Sequence, residues 1–142
     1  MRCRAFIATA VLLAPAPLLA DAGGATVPWE TLAKVTLVKQ KDRYVPEFPR
    51  ELAALDKAQV KLKGFMMPLE AAAKQRRFLL SAVPSECGFC MPGGPDQIVE
   101  VQAKQGLEYV LDPITVVGKF ILVRDDAGGL LYRLTDAVAV TK

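Results

Sequence analysis

Between Val60 and Phe65 the chain reads Val-Lys-Leu-Lys-Gly-Phe. Strict alternation of apolar and polar residues suits a strand with one buried face and little else. The same β-rich character returns in Phe78–Val83, Gln97–Val101 and Tyr109–Leu111, the last stopped by Asp112-Pro113, and in the long β-branched run Ile114–Val123. Asp125-Asp126-Ala127-Gly128-Gly129 predicts a turn, with Leu130–Leu134 returning as the second arm of a hairpin and Asp136–Val140 as a further short strand. Upstream, Val35–Val38 is a candidate first strand, Lys39–Pro49 reads as a charged, proline-bearing loop, and Arg50–Leu55 as a helix of at most two turns. Many short strands with little helix predict an all-β fold, a small antiparallel Greek-key barrel of the oligonucleotide-binding type with one or two short helices. A small β-sandwich is the alternative.

Ahead of this pattern lies a segment of another kind. Met-Arg-Cys-Arg is followed by an uncharged apolar stretch from Ala5 to Ala20, interrupted by Pro15 and Pro17. That is the layout of a secretory signal peptide over residues 1–22, with small-residue cleavage points after Ala20 or Ala22. A membrane span needs about 20 apolar residues, so the mature chain is expected in the periplasm without an anchor. Cleavage after Ala22 leaves 120 residues, enough for one core and too few for two. Residues 23–58 are expected to pack on a barrel formed by residues 59–142, with Gly23–Thr26 as a flexible leader and Trp29 as the anchor that buries its ring.

Composition then excludes several functions. Removing the leader takes Lys+Arg from 18 to 16 and Asp+Glu from 15 to 14, so the net charge falls from +3 to +2. That is too little basic surface for nucleic acid, whose phosphates demand concentrated positive charge. Histidine is absent, which removes the commonest general base and a frequent metal ligand. A cysteine hydrolase is excluded with it, because the thiol would lack its imidazole partner. Asp125-Asp126 reads as a solvated turn pair and Arg76-Arg77 as polar loop.

The densest cluster of special residues is Ser85-Glu86-Cys87-Gly88-Phe89-Cys90-Met91-Pro92-Gly93-Gly94-Pro95-Asp96-Gln97. Loss of Cys3 with the leader leaves Cys87 and Cys90 as the only thiols, and an oxidising compartment favours a disulfide between them. Two thiolates at this spacing also converge on soft or borderline ions, copper(I) or zinc, with Met91 as a thioether donor. Met66 and Met67 are further thioethers that pack a core in the ordinary case. Zinc would need Glu86, Asp96 or a second copy to complete four ligands. Thiol–disulfide exchange is the third reading, although Met-Pro-Gly-Gly-Pro prevents the helix that normally activates such a motif. Covalent haem fails because position 91 is Met where attachment needs His. Pro92, Gly93, Gly94, Pro95, Asp96 and Gln97 complete the loop surface.

Taken together, Trp29–Leu32, Val60–Leu69, Phe78–Leu80 and the Cys87 loop ending in Pro95–Val99 resemble the bacterial domain-of-unknown-function family 3299. The resemblance covers most of the mature chain. It implies a periplasmic or envelope protein of no established activity, with genes placed near envelope transport systems that include metal-linked ones. Members carry Cys-x-His, a proline run and Asn-Gln. Here Cys87 stands at the family cysteine and Phe89 at its histidine, Gly93-Gly94 interrupt the proline run and Asp96 replaces the asparagine. The missing histidine leaves Cys90 as the second ligand of any metal. The expectation is a non-enzymatic, metal-binding accessory of an envelope transport or homeostasis system. The rival is an adaptor with a Cys87–Cys90 disulfide that recruits a partner protein, and the third reading is an oxidoreductase.

Overall fold

The alternation at Val60 does form a strand, and that strand is the hinge of the architecture. The computed structural model describes residues 23–84 and 93–140. The chain runs β1 (Ala25–Thr26), α1 (Trp29–Leu32), β2 (Thr36–Gln40), β3 (Arg43–Glu47), α2 (Arg50–Ala53), β4 (Gln59–Pro68) and β5 (Lys74–Ser81). A single 3-10 turn at Pro95–Gln97 then leads into β6 (Ile98–Glu108), β7 (Ile114–Leu122) and β8 (Tyr132–Ala139). The leader, the Ser85–Pro92 stretch with both cysteines, and the last two residues lie outside the described residues.

Strands β4 to β8 close on themselves. The order is β4-β5-β6-β8-β7, and β7 pairs back with β4. All of these pairings are antiparallel except β6 with β8, which is parallel. A closed five-stranded barrel agrees with the expected small Greek-key barrel and sets the sandwich aside. Closure depends on β4 serving two neighbours. Its residues 59–64 pair with β7 and residues 65–68 with β5. Gly64 sits at the change of partner, where a Cβ would lie 2.5 Å from the Ser81 carbonyl oxygen and 2.9 Å from Leu80 Cγ. A residue with a side chain could not make that turn.

Period two then fills the interior. Val60, Leu62 and Met66 from β4, Phe78 and Leu80 from β5, Val99 and Val101 from β6, and Val116, Phe120, Tyr132 and Leu134 from β7 and β8 are all buried. Phe120 stacks on Tyr132 at 5.5 Å between ring centroids. The short helices add Leu32 and Leu52, both fully buried. The Tyr132 hydroxyl donates to the Leu32 carbonyl at 2.6 Å, and burial, helped by the charge of Asp96, pushes its pKa up. Trp29 packs part-buried against the core, and its Nε1 donates to the Lys63 carbonyl at 2.7 Å. The indole thus joins the N-terminal segment to β4, as the sequence suggests.

Five local expectations need correction. Ala25–Thr26 is not a free leader but a two-residue strand parallel to β4, opposite Val60 and Lys61. The Lys39–Pro49 stretch is not all loop, because Arg43–Glu47 pairs with Thr36–Gln40 as a hairpin. Its Pro46 is tolerated on a two-stranded ribbon with an open edge. Arg76 and Arg77 lie within β5 rather than in a loop. Residues Tyr109–Leu111 fall beyond the end of β6, and the two expected C-terminal strands are one, with Asp136 at φ 53 inside it.

Candidate functional site

Strand β6 begins with four consecutive buried residues, Ile98, Val99, Glu100 and Val101. Val99 and Val101 point into the barrel, so Ile98 and Glu100 lie on its outer face. Both line a cleft of about 490 Å³ there. Leu79 of β5 and Ile98 of β6 form its floor together with Leu69 and Leu130. Its rim comes from Gly93 and Pro95 on one side and from the Asp126–Gly129 turn on the other. The volume lies in the range of small-molecule sites, roughly 300–1,000 Å³.

The strand register places the polar groups. Glu100 stands opposite Leu79 across β5–β6 and opposite Arg133 across β6–β8. Arg77 pairs with Gln102 and so reaches Glu100 on the diagonal. Arg133 Nε donates to Glu100 Oε2 at 2.7 Å, and Arg77 Nε donates to the other carboxylate oxygen, Oε1. The Glu100 side chain is only 3% exposed, against 60% for Arg77 and 31% for Arg133. A buried carboxylate is thus gripped by two arginines that reach solvent.

This grip sets the ionisation. Burial pushes the Glu100 carboxyl up, but the hydrogen bonds and charges of Arg133 and Arg77 together outweigh it and hold the group below its ordinary range. The Glu100 hydrogen bond and charge in turn raise the Arg77 guanidinium. The rim is organised by Asp126, whose Oδ2 accepts from the Gly128 amide at 2.8 Å and the Leu130 amide at 3.1 Å. Across the cleft, the Gln97 amide donates to the Gly94 carbonyl at 3.0 Å. Gly93 takes φ +86 with the Gln97 side chain lying against it, a conformation and a closeness that a Cβ would oppose.

Of the site residues read from sequence, Cys87, Cys90, Met91 and Pro92 lie outside the described residues. Gly93 and Pro95 line the cleft, Gly94, Asp96 and Gln97 build the turn behind them, and Ile98 begins its floor. Met66 is 5% exposed and belongs to the core. Met67 lines a separate depression with Pro84, Tyr109 and Leu111. Among the described residues no three His, Cys, Asp or Glu side chains converge as a metal site. Asp126 is a turn residue, as expected, and also a wall of the cleft. Arg77, Glu100 and Arg133 were not singled out by sequence. The available signal was the run Ile98-Val99-Glu100-Val101, where a charge sits on a strand with apolar residues on both faces.

Comparison with known proteins adds the following. The family described as "Protein of unknown function (DUF3299)" matches residues 30–138. The crystal structure of a DUF3299 family protein from Pseudomonas aeruginosa PAO1 superposes with a TM-score of 0.57 at 20% identity, covering 84% of this chain and 98% of that one. At that identity the likeness speaks for the fold. No curated protein matches the chain.

Proposed function

The chain belongs to the DUF3299 family, and from that premise we propose that it is a non-catalytic ligand-binding domain of the bacterial envelope, with its seat in the cleft over Arg77, Glu100 and Arg133. The observation that carries this reading is Glu100: a carboxylate is kept buried on the outer face of a barrel, at the floor of a partly apolar cleft, by two arginines. Outer-face positions of small barrels ordinarily meet water, and a buried charge needs pairing. A fold can hold such a constellation for a bound molecule, whereas stability alone is served as well by apolar residues. The face used, with the loops at its rim, is also where barrels of this type commonly take ligands. Fold likeness is support by analogy and does not name the ligand.

The protonation state of Glu100 supports the non-catalytic reading. A general acid or base works best with a pKa near the operating pH, and Glu100 is driven the other way. The absence of histidine removes the usual substitute. Export rests on residues 1–22, and among the described residues no helix is long and apolar enough to cross a membrane. The test is a screen of chemically diverse small molecules against the exported protein, read by amide shifts in a ¹⁵N-resolved spectrum. Shifts clustering at Leu79, Ile98 and Leu130 are expected. Hits that cluster elsewhere overturn the cleft as seat, and a protein that stays in the cytoplasm with Met1 intact overturns the export signal.

A second reading places metal binding in the segment between the described parts. Cys87, Cys90 and Met91 lie outside the described residues, and this reading rests on their donor chemistry and spacing in the sequence. Copper(I) or zinc is the ion such donors would select. Metal analysis of protein extracted under reducing conditions should show a defined stoichiometry that Cys87→Ser abolishes. An intact mass lower by two hydrogens, with ligand binding unaffected by the substitution, would instead support the adaptor with a disulfide. A reduction potential well above about −300 mV would support thiol–disulfide exchange.

A further inference from the structure

We infer that the cleft is selective for a small monoanionic amphiphile, a carboxylate carried on an apolar body, and this deepens the reading of the cleft as the binding seat. The two guanidiniums spend only their Nε groups on Glu100, and no other hydrogen bond engages them among the described residues. An arginine carries five N–H donors in a fixed fork, so the Nη donors of both side chains remain for a ligand. None of them is buried without a partner. Glu100 has both oxygens occupied and is sealed from solvent. It therefore fixes where the forks point and presents no free oxygen to a cation.

Charge decides how many negative groups the ligand carries. Arg77 and Arg133 exceed Glu100 by one positive charge, and Glu70 and, less strongly, Asp126 on the rim stand close enough to Arg77 to raise its pKa further. The cleft as a whole is close to neutral, which disfavours phosphates and other multiply charged anions while leaving one pair of forks open to a single carboxylate. A cationic ligand would meet two guanidiniums. A neutral apolar ligand would cover Nη donors without replacing the water they lose, at the cost of unsatisfied donors. The remaining lining, Leu69, Leu79, Ile98 and Leu130, supplies apolar contact next to the forks, and Leu69 is 49% exposed for want of a partner there.

The experiment is a titration of the mature chain with four compounds that share one apolar body: 4-phenylbutyrate, 4-phenylbutanol, 4-phenylbutylamine and 4-phenylbutyl phosphate. The readout is the amide shifts of Leu79, Ile98 and Leu130 and the arginine Nε–H signals. The carboxylate should bind about tenfold more tightly than the alcohol or amine, the gain expected of charge-assisted hydrogen bonds, and more tightly than the phosphate. Arg77→Gln, at an exposed side chain, should bring the carboxylate down to the affinity of the alcohol while leaving the fold intact. Arg77→Lys should restore part of the preference, keeping the charge without the fork. Alcohol or amine binding in the cleft as tightly as the carboxylate overturns this inference and leaves the cleft as seat. No shift of the cleft amides with any of the four overturns both.

Discussion

The two faces of β6 are built on opposite principles. Inside the barrel, Val99 and Val101 meet Phe78, Phe120 and Leu134 in a core with no charge. One residue away on the outer face, Glu100 is as thoroughly buried as they are, yet its neighbours are two arginines and a glycine-rich rim. The inner face is held by area removed from water, a term indifferent to direction. The outer face is held by directed, charge-assisted hydrogen bonds. Burial alone therefore does not mark the core of this protein, and the kind of burial separates what holds the barrel from what it presents.

That contrast can be broken from either side. Phe120→Ala should have the largest effect, about 3–5 kcal/mol of stability by urea denaturation; a loss below about 1 kcal/mol would mean the interior is not a close-packed core. Glu100→Gln should cost about 2 kcal/mol at neutral pH, in the range for hydrogen bonds to charged groups, and its effect should depend on acid. Because the folded carboxyl lies below its ordinary range, its contribution is complete above the unfolded value near 4.3 and disappears as the pH falls through the folded value. The gap between wild type and Glu100→Gln should thus be full at pH 7 and pH 6 and should shrink below about pH 4. A gap that persists unchanged at pH 3 would show that Glu100 contributes by shape rather than charge. Tyr132→Phe removes the donor to the Leu32 carbonyl and should cost about 1 kcal/mol, with aromatic packing unchanged. Arg43→Ala breaks an ion pair with Asp125 whose side chains are 67% and 79% exposed. It should change the unfolding free energy by no more than about 0.5 kcal/mol, read by urea denaturation.

The inner face was legible in the sequence because alternation is a local property. Val60-Lys61-Leu62-Lys63 declares a buried side without reference to the rest of the chain. Which strands become neighbours is not local, and nothing in the composition of β6 or β8 announces that they pair in parallel. The outer face was not legible for a related reason. Nothing local to a glutamate between two valines says what surrounds it, and Arg76-Arg77 read as polar loop. Only the rim, contributed by segments far away in sequence, turns those polar positions into a site. Arg43–Glu47 was missed because proline and charge weigh against a strand unless its edge is known to be open. The Cys87–Cys90 segment, where sequence places most of the chemistry, lies outside the described residues.

The parallel pairing of β6 with β8 also governs how the chain can reach its native state. Strand β8 is the partner of both β6 and β7, so the barrel stays open on two sides until residues 132–139 are available. During vectorial synthesis the earlier strands leave the ribosome with their apolar faces uncovered and with no means of closing. Pairings this distant in sequence form slowly, since the entropy of loop closure is spent before any contact rewards it. Closure of this barrel consequently waits on β8, and no pair of strands formed earlier can substitute for it.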